Sequence, residues 1–260
     1  SIEFVPTWFG VSMLEYSVWN ETLGLDLFAY YNFTSLTDSI NNSQNNLSVI
    51  RGLPVINSTN GKLGNGAFFN GSSSYGVSDG SNYYFKLRNN TGNFDFTISG
   101  WIKKTGGDNL FAGTNFSSGY DLAFHSTLGW FYRSSGGSQF YTTTVPSLNS
   151  WQMWSITLNK TDSCLFINGT QKVCKGASTY SNNNGTLFEF GSTAGNEFLT
   201  GYLDEWGFWN RNLSDSEMVQ LYNDGTGLTY TAPVVDSIPP YFTTIPSNQN
   251  ITYGNYWSGV

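Results

Sequence analysis

Few side chains in this chain carry the means for acid–base or nucleophilic chemistry. One His stands among 260 residues, beside 18 Asp plus Glu. A retaining glycosidase needs two carboxyl groups about 5 Å apart. Asp204 and Glu205 are adjacent, and adjacent side chains of a strand point to opposite faces. Glu189 stands alone between Phe188 and Phe190. The sequence has no nucleophile elbow, phosphate loop or dinucleotide fingerprint. These residues argue against an enzyme.

They suit binding better. Sugars are held by aromatic faces against C–H surfaces, with carboxylate, amide and guanidinium groups beside them. Tyr120, Asp121, Trp130, Tyr132, Arg133, Tyr141 and Tyr180 are the candidate ligand contacts, with Asn109, Asn115 and Phe140 near them in sequence. Each aromatic also has a packing reading, strongest for strand positions such as Trp130. Asp38, Asp204 and Glu205 are candidate calcium ligands together with loop carbonyls, since calcium takes six to eight oxygens. The alternative for Asp204 and Glu205 is hydrogen bonding to loop backbone, with Asn65 or Arg211 nearby. Calcium is the one cofactor considered. Two Cys and one His cannot build a zinc cage.

Cys164 and Cys174 flank LFINGTQKV, and Asn168-Gly169 is a strong hairpin turn. A three-residue loop centred on Gly169 would set the two cysteines opposite each other. A two-residue loop would set Cys164 opposite Val173. A disulfide is expected, with two free thiols as the alternative. About 13 Asn lie in N-x-S/T sequons, about twice the chance number. Asn41, Asn57, Asn89, Asn115, Asn184 and Asn212 are the candidate glycosylation sites. Incidental matches in an Asn/Ser/Thr-rich chain are the competing reading.

Charged residues make up 11% of the chain, against about 25% in ordinary globular proteins. The net charge of −7 argues against nucleic acid or an anionic membrane as partner. No run of about 18 apolar residues occurs, so no membrane span is expected. No charged-then-apolar leader opens the chain, so a signal peptide is expected to be absent or already removed.

The elements that must position these residues are strands. They are expected near 27–33, 67–70, 94–103, 120–133, 151–158, 164–174, 186–190 and 202–208, with turn signals between. Many short strands at such spacing suggest a sandwich or jelly roll. One helix is expected near 214–222. Ser214 with Glu217 fits a capping box, Met218 and Leu221 give an apolar stripe, and Gly225 and Gly227 stop it.

Gly201-Tyr-Leu-Asp-Glu, followed by Trp209-Asn-Arg, Leu213-Ser214, Glu217-Met218 and Leu221-Tyr222, resembles the C-terminal signature of concanavalin A-like, laminin G-like jelly-roll domains. Further blocks match in family order: Tyr30 to Phe33, Asp38-Ser39, Gly61 to Gly71, Phe96 to Lys103, Trp151 to Thr157 and Phe166 to Gly169. The resemblance covers roughly residues 25 to 230. It implies an all-β jelly-roll β-sandwich with one short α-helix, and it places Trp101, Trp151, Trp154 and Trp209 in framework strands as core. Asn70 stands where the family has Asp, Gln152 and Met153 replace two histidines, and Trp206 replaces a small aliphatic residue. The first two changes remove polar side chains from any calcium site carried over.

Residues 1–24 form an unmatched N-terminal extension, 231–240 a linker, and 241–260 resembles the first strands of a cadherin-like or immunoglobulin-like repeat. The expected function is a non-catalytic adhesion or carbohydrate-binding module of an extracellular or cell-surface protein. Its partner would be a glycan or cell-surface protein. The alternative is a structural subunit of a filament, stalk or layer, meeting other copies of itself through its terminal strands.

Overall fold

In a computed structural model, the described residues are 21–40, 45–57, 59–77, 95–106, 110–113, 120–125, 129–134, 139–159, 161–176, 188–193 and 196–230. A one-turn helix α1 (Glu21–Gly24) precedes β1 (Leu27–Tyr31), β2 (Leu47–Arg51), β3 (Val55–Asn57), β4 (Gly66–Asn70), β5 (Ser74–Val77) and β6 (Phe96–Gly106). Next come β7 (Leu110–Gly113), β8 (Tyr120–His125), β9 (Gly129–Ser134), β10 (Gln139–Tyr141), β11 (Trp151–Leu158) and β12 (Asp162–Ile167). The last are β13 (Thr170–Gly176), β14 (Phe188–Phe190), β15 (Ser192–Thr193), β16 (Asn196–Phe198), β17 (Thr200–Trp209) and α2 (Asp215–Tyr222).

Two antiparallel sheets hold nearly all of this. The eight-stranded sheet runs β13-β12-β11-β6-β17-β4-β3, with β1 also on β17. The seven-stranded sheet runs β10-β9-β8-β7-β14-β5-β2. The architecture is the expected jelly-roll sandwich. Inward side chains of both sheets form the main core, in which Phe111, Trp154, Phe190, Trp206 and Phe208 are fully buried. Most of their rings meet edge-on or tilted, as in Phe111–Trp154 at 5.4 Å and Phe190–Trp206 at 5.5 Å, while Trp154 and Trp206 stack at 6.4 Å; both are favourable arrangements of aromatic quadrupoles.

A second apolar cluster lies on the outer side of the eight-stranded sheet. Tyr30, Trp101, Met153 and Trp209 meet Leu23 of α1 and Met218 and Leu221 of α2. The predicted capping box is present, with Ser214 Oγ accepting from Glu217 N–H and the Glu217 carboxylate accepting from Ser214 N–H. Residues 21–24 therefore pack onto the domain instead of standing apart from it. Trp209 Nε1 donates to Leu23 O at 2.7 Å. Residues 1–20, the linker and the cadherin-like segment lie outside the described residues.

Local detail departs from the expectations at three places, although the expected Cys164–Cys174 disulfide is present. The single strand expected over 120–133 is two, β8 and β9, paired from Tyr120↔Ser134 to His125↔Gly129. Gly129 sits at φ +80°, where a side chain would strike Thr142 O and Thr144 O. Second, the 164–174 hairpin turns on two residues, Asn168 and Gly169, at φ 52° and 70°, the signs a tight hairpin turn requires. A bulge at Lys172 then restores the register, so Cys164 and Cys174 pair and are bonded. Third, β17 bulges against β6: Asp204 pairs Trp101 and Gly207 pairs Ser99, so Glu205 and Trp206 both face Gly100. Glu205 takes φ 54° there. The bulge cancels the strand alternation and re-aims both side chains. Trp206 enters the core, while Glu205 joins Trp101, Met153 and Trp209 on the outer side, the side of Trp101's pairing partner Asp204, so the two carboxylates do not point to opposite faces as expected.

Candidate functional site

Pairing in register lines up one row across all seven strands of the second sheet. Ser48 pairs Gly76, Gly76 pairs Glu189, Glu189 pairs Gly113, Gly113 pairs Asp121, Asp121 pairs Arg133, and Arg133 pairs Gln139. The row faces away from the core, because its neighbours Tyr120, Leu122, Trp130, Tyr132, Phe188 and Phe190 face into it. Arg133 Nη2 and Nε donate to Asp121 Oδ2 at 2.6 and 3.0 Å. Ser192 Oγ donates to Glu189 Oε2 at 2.5 Å, and Arg51 Nε stands 4.0 Å from the same oxygen. Glu189 Oε1 and Ser74 Oγ, on the neighbouring strand, are buried without a hydrogen-bond partner among the described residues. Such groups are rare, because an unmet buried acceptor costs about 1–3 kcal/mol.

The row opens at its β9–β10 end. Tyr141 is 45% exposed there and pairs directly with the partly exposed Phe131. Next to them, the Arg133 side chain keeps 30% of its surface while its partner Asp121 is closed off. Two aromatic side chains beside a fixed guanidinium–carboxylate pair make a surface that can hold the C–H and hydroxyl groups of a sugar.

Of the candidate ligand contacts, Asp121, Arg133 and Tyr141 come together on this face. Tyr120, Trp130 and Tyr132 do not. They are 0%, 1% and 0% exposed and pack between the sheets. The reason is period-2 alternation: Tyr120 and Asp121 cannot share a face, and the core took the aromatic one. Tyr180 lies outside the described residues, as do Asn41, Asn89, Asn115 and Asn184, and so does the side chain of Asn57. Asn212 is partly buried, and its Oδ1 accepts from Phe96 N–H at 3.2 Å. Neither Glu189 nor Phe131 stands out for binding in the sequence. Phe131 sits between core residues Trp130 and Tyr132, so the same alternation would have found it.

The three candidate calcium ligands do not form one ligand set. Among the described residues, no group of three or more His, Cys, Asp or Glu is placed to hold a metal. Asp38 accepts from the N–H groups of Tyr30 and Ile40 and from Asn45 Nδ2, which ties β1 to the following loop. Asp204 Oδ2 accepts from Lys62 N–H at 2.7 Å and Leu63 N–H at 3.0 Å. That is loop-backbone bonding, the alternative reading for this carboxylate. Burial pushes Asp204 up to about 7, against the pull of the N–H bonds from Leu63, Lys62 and Glu205. Burial alone pushes Glu205 up to about 8. Among the described residues its Oε2 has no hydrogen-bond partner, and it borders a cavity of about 10 Å³ beneath Leu221, room for about one water.

A two-sheet jelly roll with a polar row on one outer face and a capped helix on the other defines the class. Residues 58–219 match the family model of the concanavalin A-like lectin/glucanases superfamily, and the chain belongs to that superfamily. No curated protein sequence matches it. Among solved structures it is similar to domain 4 of AbnA, a GH43 extracellular arabinanase from Geobacillus stearothermophilus, in complex with arabinotriose. That match has 18% identity and a TM-score of 0.58, covering 75% of this chain and 97% of that one. It is also similar to the binding domain of Paraclostridial Mosquitocidal Protein 1 (22% identity, TM-score 0.57, 78% and 53% covered). A third is the binding domain of Botulinum neurotoxin DC in complex with rat synaptotagmin II (16%, 0.56, 76% and 51%). The chain thus spans about half the length of these two toxin binding domains. At these identities the likeness is one of fold. Among the described residues, no helix is long and apolar enough to cross a membrane.

Proposed function

We propose that this domain is a non-catalytic carbohydrate-binding module of an extracellular or cell-surface protein, and that it holds glycan at the open end of the polar row. The observation that carries this is the exposed Tyr141, in register with Phe131 beside the Arg133–Asp121 pair. The arabinotriose bound by the arabinanase domain supports the ligand class. A hydrolase is disfavoured. Asp121 is committed to Arg133, and Asp204 to loop backbone. Assembly through terminal strands would involve residues outside the described set.

The test is a broad glycan array, with and without calcium, followed by titration of the best neutral binder against Tyr141→Ala. Stacking on one aromatic face is worth about 1 kcal/mol, so affinity is expected to fall roughly fivefold with an unchanged melting temperature. If no glycan binds, or if Tyr141→Ala binds as the wild type does, the proposal fails.

A further inference from the structure

The outer face of the eight-stranded sheet has more apolar surface than its helix covers. Below, α2 closes over Trp101, whose ring stacks on Tyr222 at 5.7 Å. One step further along the strands, a second row continues without that lid. Val55 pairs Phe68, Phe68 pairs Tyr202, Tyr202 pairs Lys103, and Lys103 pairs Trp151. Val55 is 48% exposed, and the other four are partly exposed. Trp151 is therefore only partly buried, packing at the margin of the second cluster, where the resemblance implied a core residue. The rings are contiguous: Phe68–Tyr202 at 5.0 Å and Trp151–Tyr202 at 6.4 Å, tilted by 43° and 55°. Lys103 Nζ stands 5.4 Å from the Tyr202 ring centre. Adjacent strands lie about 4.8 Å apart, so Phe68 to Trp151 spans roughly 14 Å.

We propose that this row is a second glycan site, specific for sugars that carry a carboxylate. The tilted Phe68, Tyr202 and Trp151 rings form a trough for the C–H faces of successive sugar rings. Lys103 is the only charged residue in the row. In a chain of net charge −7, a cation set among partly exposed aromatic side chains selects an anionic group on the ligand. The ammonium has three donors for that carboxylate. This site is on the opposite side of the sandwich from the Tyr141 face, so the two can be separated by mutation.

Binding of a defined uronic-acid oligosaccharide is compared with binding of the same oligosaccharide after carboxyl reduction. The acidic form is expected to bind more tightly. Lys103→Gln removes the charge and keeps the chain length, and is expected to lower affinity for the acidic form on the order of fivefold, the upper range for a partly exposed ion pair. It should leave the reduced form unchanged. Trp151→Ala, checked for native melting, is expected to weaken both forms, while Tyr141→Ala should weaken neither. Added salt should narrow the gap between the two forms. No binding of the uronate oligosaccharide, equal binding of both forms, or an unaltered Lys103→Gln would overturn the proposal. Loss in Tyr141→Ala instead would assign the acidic sugar to the other face. Failure here with glycan binding intact at Tyr141 would leave the first reading standing.

Discussion

Gly100 has no side chain because Trp206 occupies the place where one would be. A β-carbon on Gly100 would lie 2.3–2.5 Å from the indole of Trp206, far inside contact distance. Two residues of β17 oppose this one glycine, so the bulge and the glycine together make room for a tryptophan where the family resemblance has a small aliphatic residue. Gly100→Ala is therefore expected to cost about 1–3 kcal/mol, the usual range for overpacking a core. In the Trp206→Leu background the same change should cost much less. Denaturant unfolding of the four proteins of this double-mutant cycle measures the coupling, and additive costs would show that the contact is not the cause. At this scale, the sequence marks Trp206 as a departure but cannot show the bulge that admits it. The same limit governs the ligand residues. Tyr120, Trp130 and Tyr132 have the chemistry of sugar contacts, yet alternation with Asp121 and Arg133 puts them on the opposite face. Glu189 shares a row with Asp121 across Gly113 only because β14, distant in sequence, aligns beside β7 and β8, and glycines give no sequence signal of that register.

At the scale of elements, the corner between β17 and α2 is the most legible part of the chain. Its capping residues act locally, so sequence spacing alone specifies them. Arg211 ties that corner to the start of the domain. It donates to Glu217 at 2.7 and 3.0 Å, to Thr22 O at 2.6 Å and to Leu25 O at 2.9 Å. Ser214→Ala removes one cap bond and is expected to cost about 1 kcal/mol, a fall of about 2–4 °C in melting temperature. Arg211→Ala loses contacts to both α1 and α2, so calorimetry should show a larger fall than for Ser214→Ala; an equal or smaller one would mean that α1 adds nothing to the corner. The long strands β6, β11 and β17 are equally legible as strands, because extended runs of apolar and β-branched residues mark them, though the bulge inside β17 is not. Short ones are not. β5 (SYGV) and β10 (QFY) are three or four residues long, too brief for a period of two to declare itself. The β8–β9 hairpin reads as one strand in the sequence because apolar residues run close to the turn on both sides.

For the whole molecule, the buried carboxylates set how stability responds to pH. Glu205 ionises near 4.5 when unfolded and near 8 when folded, because burial disfavours its charge. Between those values the unfolded chain has released a proton that the folded chain retains, so stability falls as pH rises. The contribution is complete below about pH 4.5 and is lost through about pH 8. Asp204, pushed up to about 7, and Asp38, also raised by burial, act in the same direction. Glu217 acts in the opposite one. Burial works to raise it, but its bonds to Arg211 and Ser214 outweigh that and hold it low, so its contribution is lost in acid. The melting temperature should therefore peak near about pH 5 and fall towards pH 8. The loss is on the order of a few kcal/mol, since one proton held only by the folded chain is worth about 1.4 kcal/mol for every pH step of one. Growing net negative charge would also weaken the fold as pH rises, so the slope of the wild type alone does not identify the group. Glu205→Gln does. It keeps the shape beneath Leu221 and removes the titration, so its melting curve should be flatter between pH 5 and 8 and should cross above the wild type at the alkaline end. Parallel curves for the two proteins would place the pH dependence elsewhere and would mean that Glu205 meets water or a cation in its cavity well enough to stay ionised.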